Sequence, residues 1–225
     1  MSVRTDGDHL SIELPGGTAL FTTRRGGVSQ GLYTSLNLGL LTDDDPDRVR
    51  LNRERVRALA GGRRLALGRQ VHGARVVVDS QEVEDADGQA TTRDDVAAMV
   101  VVADCLPVAL VAPGAVAMVH AGWRGLAAGA LEAGLKAVGP GPVAAAIGPG
   151  IGPCCYEVGD DVRGVFGTTE RTLDLKAIAR DRLRAAGVEE VRDVALCTSC
   201  DPERFFSHRR ERGVTGRQAG VVWRS

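Results

Sequence analysis

Short apolar runs alternate along this chain with Gly-, Pro- and Asp-rich punctuation. The runs over 10–14 and 19–23 flank the turn Pro15-Gly16-Gly17 and predict a strand pair. A polar, glycine-containing loop, RRGGVSQGLYTSLNLG, follows. The segment DDDPDRVRLNRERVRALAGG then carries helix punctuation: Asp45 as cap, Pro46 in the first turn and Gly61 at the exit. Val49, Val56 and Leu59 give that helix an apolar stripe. Strands are predicted over 65–67 and 74–78, with GRQVHG between them, and over 96–102, 107–111 and 115–120. An Ala-rich helix is predicted over 126–138 and a strand over 143–147 running into GPGIGPCCYEVG. Helices over 160–166 and 173–186 and strands over 191–196 and 220–223 complete the chain. Strands apolar on both faces, with helices outside them, indicate an α+β fold.

The 225 residues show no repeat, low-complexity tract or linker, so a single domain over 1–225 is expected. Hydrophobic residues make up 44% but aromatics only 4%, so the core must be built from Val, Ala and Leu. A net charge of -1 argues against a general nucleic-acid or membrane-surface binder. The N-terminal segment MSVRTDGDHL has no apolar signal, and no apolar run is long enough to span a bilayer. A cytoplasmic location is therefore expected, where the five cysteines would be free thiols or metal ligands.

Three residues stand at predicted strand ends: His72 in QVHG, Cys105 in ADC and His120 at the end of AVAMVH. Two imidazoles and a thiolate suit Zn²⁺ and leave a fourth position for water or substrate. A buried cysteine and two hydrogen-bonded histidines are the plainer alternative. Asp104 is not assigned as a base, because strand neighbours point to opposite faces. Cys197 and Cys200 have C-x-x-C spacing, with His208 nearby and Cys154–Cys155 elsewhere. A structural zinc, a redox pair and free surface thiols all remain open there. Arg24, Arg25, Ser29, Ser35 and Asn37 share the long loop, where guanidinium and backbone N–H groups could hold an anion. Arg209, Arg210 and Arg217 could reach a phosphate or carboxylate.

The ordered motifs TTRRGGVSQGLYTSLNLG, NRERV, QVHG, ADCLPV, HAGWRG, IGPGIGPCCYEVG, LDL, CTSC, FFSHRR and TGRQAG resemble those of the YfiH-type family. This is also called the laccase-domain or multicopper polyphenol oxidase family. The match runs from about Phe21 to Trp223. It implies packed mixed β-sheets flanked by helices. It also implies a metal, zinc ahead of copper, on His72, Cys105 and His120, which then serve catalysis. The implied substrates are purine nucleosides and phosphate: phosphorolysis of adenosine, inosine and methylthioadenosine, with deamination of adenosine. Arg24 would hold phosphate and Asn37 would hydrogen-bond substrate. The resemblance brings alternatives: a copper polyphenol oxidase, a cysteine hydrolase linked to peptidoglycan editing, or a nucleoside-binding scaffold. True laccase chemistry needs more imidazoles than four histidines supply, one of them, His9, being placed in the N-terminal tail.

Overall fold

In a computed structural model, described for residues 4–225, two six-stranded mixed sheets pack face to face with helices on both outer surfaces. The first three residues, part of the N-terminal segment considered above, lie outside the described residues. The first sheet has the order β1-β2-β3-β12-β7-β4: Arg4–Asp6, His9–Leu14, Gly17–Phe21, Gln218–Arg224, Val96–Val102 and Arg64–Ala66. The second has the order β11-β10-β8-β9-β6-β5: Glu190–Asp193, Ala144–Ile147, Leu106–Ala112, Ala115–Ala121, Gly88–Thr91 and Val76–Val78. The helices are α1 (Pro46–Leu59), α2 (Trp123–Ala127), α3 (Ala130–Val138), α4 (Asp160–Phe166) and α5 (Leu175–Ala185).

The strands read as continuous apolar runs because both of their faces are covered. In β8, Ala109 and Val111 join Phe21, Val100 and Met118 between the sheets. Leu106, Val108 and Leu110 point the other way, toward Leu126, Leu131, Ala179 and Leu183 of the helices. On the outer face of the first sheet, Leu20, Met99 and Val221 meet Val56 of α1. With so few aromatics, small residues let the layers approach closely.

Several expectations shift at their edges. Asp45 caps α1 by accepting from Asp47 N, and Gly61 leaves the helix at φ 67°. The buried stripe of α1 is Val49, Asn52 and Val56, and Leu59 faces solvent. The predicted helix over 126–138 is two helices, because Gly129 takes a left-handed φ of 86° between them. Strand β6, Gly-Gln-Ala-Thr, carries no apolar pattern yet is buried throughout. His9 is not in a loose tail but buried in β2, and the backbone N–H of Thr23 donates to its Nδ1.

Strand direction places the chemistry. β8 and β9 are antiparallel with Pro107 opposite His120, so Cys105 and His120 emerge at one end. β6 is antiparallel to β9 and parallel to β5, which brings residue 87 and the 71–75 loop to that same end. The parallel pair β10 and β11 sends both of its C-terminal loops there as well.

Candidate functional site

At this end of the second sheet, ligand atoms of His72, Cys105 and His120 lie within 4.8 Å of one another. The two imidazoles meet edge to face, with centroids 4.9 Å apart. Tetrahedral zinc with Zn–N and Zn–S bonds of ordinary length needs ligand separations of about 3.3–3.8 Å. The donor set and its spacing therefore fit a zinc ion after small side-chain adjustments. Gly122 is required here: a Cβ on it would come within 2.8 Å of the Cys105 Sγ.

Asp87 organises the site, and the sequence analysis missed it. Its buried carboxylate accepts from the backbone N–H groups of Val71, His72 and Gly73 at 3.1, 2.9 and 2.7 Å. It also lies 2.8 Å from Nδ1 of His120. One carboxylate thus fixes both imidazoles, one through its backbone and one through its ring. The three converging N–H groups stabilise the left-handed conformation of His72, φ 60°. Holding Nδ1 leaves Nε2 of His120 as its ligand atom, the arrangement common behind metal-bound histidines.

Burial pushes the Cys105 thiol up, but the charge and hydrogen bonds of His120 and His72 outweigh it and bring it down to about 6. Burial lowers His120, while the Cys105 thiolate and Asp87 raise it to about 9. Each group thus favours the charged form of the other. Asp104, next to Cys105, has φ 86° and sits in a turn, not on a strand. Its buried carboxylate accepts from Thr198 Oγ1, Ser207 Oγ and the backbone N–H of Arg209, so it ties two loops together.

His72, Cys105 and His120 line a cavity of about 750 Å³, within the range of small-molecule sites. Tyr156, Trp123, Arg124, Arg209 and Arg217 also line it. Arg209 lies over the Tyr156 ring and Arg124 over Trp123, at 5.2 and 4.3 Å. Burial above all, then the Cys105 charge, raises Tyr156 to about 12, so its phenol stays a neutral donor.

The other two nominated residues are not among those lining this cavity. Arg24 donates to the carbonyls of Thr34 and Pro202 and covers the Phe206 ring. Asn37 is fully buried, donating to Thr42 and Asp44 and accepting from the backbone N–H groups of Gly39 and Arg217. Asn52 of α1 holds the same loop, donating to Ser29 Oγ and the carbonyls of Ser35 and Asn37 and accepting from Val28 N.

Known proteins share this arrangement of strands. The profile of the family described as multi-copper polyphenol oxidoreductase laccase matches residues 18–225. A purine nucleoside phosphorylase of Pseudomonas aeruginosa is 41% identical, covering 91% of this chain and 92% of its own. The purine nucleoside phosphorylase YfiH of Escherichia coli is 38% identical over 92% and 94% of the two chains. A solved structure from Neisseria meningitidis superposes with a TM-score of 0.91 at 37% identity, covering 97% of this chain and all of that one. YlmD from Geobacillus stearothermophilus gives 0.88 at 35% identity, over 98% and 97% of the chains. Profile, relatives and fold agree over nearly the whole length: this chain belongs to the multi-copper polyphenol oxidoreductase laccase family, whose YfiH and YlmD relatives are named purine nucleoside phosphorylases.

Proposed function

We propose that the protein is a zinc-dependent purine nucleoside enzyme that cleaves adenosine, inosine and methylthioadenosine with phosphate and deaminates adenosine. The observation that carries this reading is the His72–Cys105–His120 cluster facing a cavity that arginines and aromatic rings also line. The names of the relatives supply the substrate class. Asp87 fixes the His120 tautomer and the His72 backbone, so the ligand geometry exists before substrate arrives. When bound, zinc supplies a Lewis acid that polarises a substrate atom or water.

In phosphorolysis a phosphate oxygen bonds to C1′ as the C1′–N9 bond breaks and its electron pair leaves with the purine. Arg209 and Arg217 keep guanidinium donors beyond those bound to carbonyls, and they supply the charge that would hold phosphate. Tyr156 and Trp123 offer faces for the purine ring and ribose. Arg24 and Asn37 serve this reading as positioning residues, Asn37 through its bond to the Arg217 backbone. In deamination, water adds at C6 and ammonia leaves from the same pocket.

Zinc suits this centre better than a multicopper one. Among the described residues, the two clusters of potential ligands contain only two histidines between them. A trinuclear copper centre needs several more. In a reducing cytoplasm, the location that goes with this reading, the five cysteines would be thiols or metal ligands. Among the described residues no helix is long and apolar enough to cross a membrane.

The test is to incubate zinc-quantified protein with adenosine and phosphate and identify the products. Adenine with ribose 1-phosphate, and inosine from deamination, are expected; no turnover of any purine nucleoside would end this reading. One observation favours a second reading: Cys105, His120 and Asp87 form a thiol–imidazole–carboxylate series suited to a metal-free cysteine hydrolase. Activity that survives chelation and a covalent substrate adduct on Cys105 would select it.

A further inference from the structure

A second cluster of soft ligands lies outside the cavity-facing triad. Cys154 and Cys155 sit in the turn after β10, and Cys197 and Cys200 in the loop after β11. β10 and β11 are parallel, so both loops leave the sheet at the same end. There they zip together: Gly150 N donates to Leu196 O, and Thr198 N donates back to Gly150 O. The result is four sulfur atoms all within 4.8 Å of one another.

We propose that Cys154, Cys155, Cys197 and Cys200 bind a second metal ion, zinc, through four thiolates. In a tetrahedral zinc tetrathiolate the sulfurs stand about 3.8 Å apart. The Cys154–Cys200 and Cys155–Cys200 Sγ distances are 3.4 and 3.3 Å, far beyond a disulfide bond of about 2.05 Å. Four sulfurs within 4.8 Å of one another are close enough to be bound to one ion after small side-chain adjustments. One C-x-x-C pair is weak evidence; a second pair brought to it by the fold completes the ligand set of a structural zinc.

The surroundings suit a thiolate complex. Four thiolates around a divalent ion leave the site two units negative. The ammonium of Lys176, buried on α5, lies under the junction of the loops and donates to the carbonyls of Gly150 and Leu196 at 2.9 and 2.7 Å. The backbone N–H of Gly152 donates to Cys197 Sγ at 3.2 Å. No fifth donor is needed and the ligand set is closed, so the role is structural. The ion would staple the loop carrying Ile151 and Tyr156, which line the cavity, to the loop whose Thr198 binds Asp104. This site does not depend on the nucleoside reading of the cavity.

The test counts metal in full-length protein purified anaerobically in reductant, loaded with zinc and desalted. We expect two zinc ions per chain. Cys105→Ala protein should keep one, and adding Cys197→Ser and Cys200→Ser should remove it. Cobalt loaded into Cys105→Ala protein should show the sulfur-to-metal charge transfer and visible bands of a four-thiolate tetrahedral site. A readout without changes to the cluster is organomercurial titration of Cys105→Ala protein, in which one zinc should be released as its four remaining thiols are modified. Cys105→Ala protein that holds no zinc, or whose intact mass shows paired disulfides, overturns the proposal. Metal at the four cysteines without nucleoside turnover would support this site and count only against the function proposed for the cavity.

Discussion

His120 leaves β9 in the middle of the second sheet, whereas Cys197 and Cys200 hang from β11 at its edge. In the first cluster His120 is buried at the end of β9, Cys105 is part-buried just before β8 and His72 is exposed in the 71–75 loop, with a carboxylate behind them and a cavity in front. The second is carried by turns, has two exposed members and is supported by backbone N–H and a buried lysine. Mixed imidazole and thiolate ligands leave an open position for chemistry, while four thiolates close the coordination shell. On the readings proposed above, the contrast would separate a site built to react from one built to hold loops in place.

The largest effect expected from that contrast is at the open site. His72→Ala or His120→Ala should reduce nucleoside turnover to background, a loss on the order of ten-thousand-fold, with one zinc lost per chain by elemental analysis. Cys197→Ser should behave differently: a lower melting temperature and a raised KM, with the rate at saturation largely retained. A loss at Cys197 as deep as that at His120 would erase the distinction. Asp87→Asn comes next. It keeps the size of the carboxylate but replaces one oxygen that accepts N–H groups with a donor. Zinc affinity or activity should fall about 10–100-fold, and isothermal titration with zinc checks it.

The legibility of the two regions differs for physical reasons. Ligand-type residues near apolar runs singled out His72, Cys105 and His120, the family resemblance grouped them, and the structure brings their ligand-type atoms within 4.8 Å of one another. Asp87 could not be singled out: it sits in QEVEDADGQATT, one acid among several, ahead of a strand with no apolar signal. Only the pairing of β6 with β9 reveals that this acid is buried beside His120. The four cysteines were visible as two separate pairs, and the parallel pairing of β10 and β11 unites them. Arg24 and Asn37 stood out as polar groups in a loop, but their partners lie as far away in sequence as Pro202 and Arg217. The layered architecture was legible because strands covered on both faces read as unbroken apolar runs; the helix break at Gly129 was not, since one glycine in an Ala-rich segment is ordinary.

Loop anchors give smaller effects. Asn52→Ala removes the acceptor of the part-buried Val28 N–H and the donor to the buried Asn37 carbonyl and should cost about 1–3 kcal/mol. Denaturant unfolding should show this loss with zinc content unchanged. Arg24→Ala should lower the melting temperature by a few degrees through lost packing on Phe206. The KM for phosphate should change less than in Arg209→Ala. A larger phosphate effect at Arg24 than at Arg209 would move the anion site to the long loop.

The central claim is that the mixed cluster holds the zinc on which nucleoside turnover depends. Side-by-side measurement of zinc content and adenosine phosphorolysis in the unmodified protein and in Cys105→Ala tests it most directly. The account predicts a folded Cys105→Ala protein that has lost one zinc per chain and releases no adenine or ribose 1-phosphate. A Cys105→Ala protein that keeps its full zinc content and its turnover would contradict it.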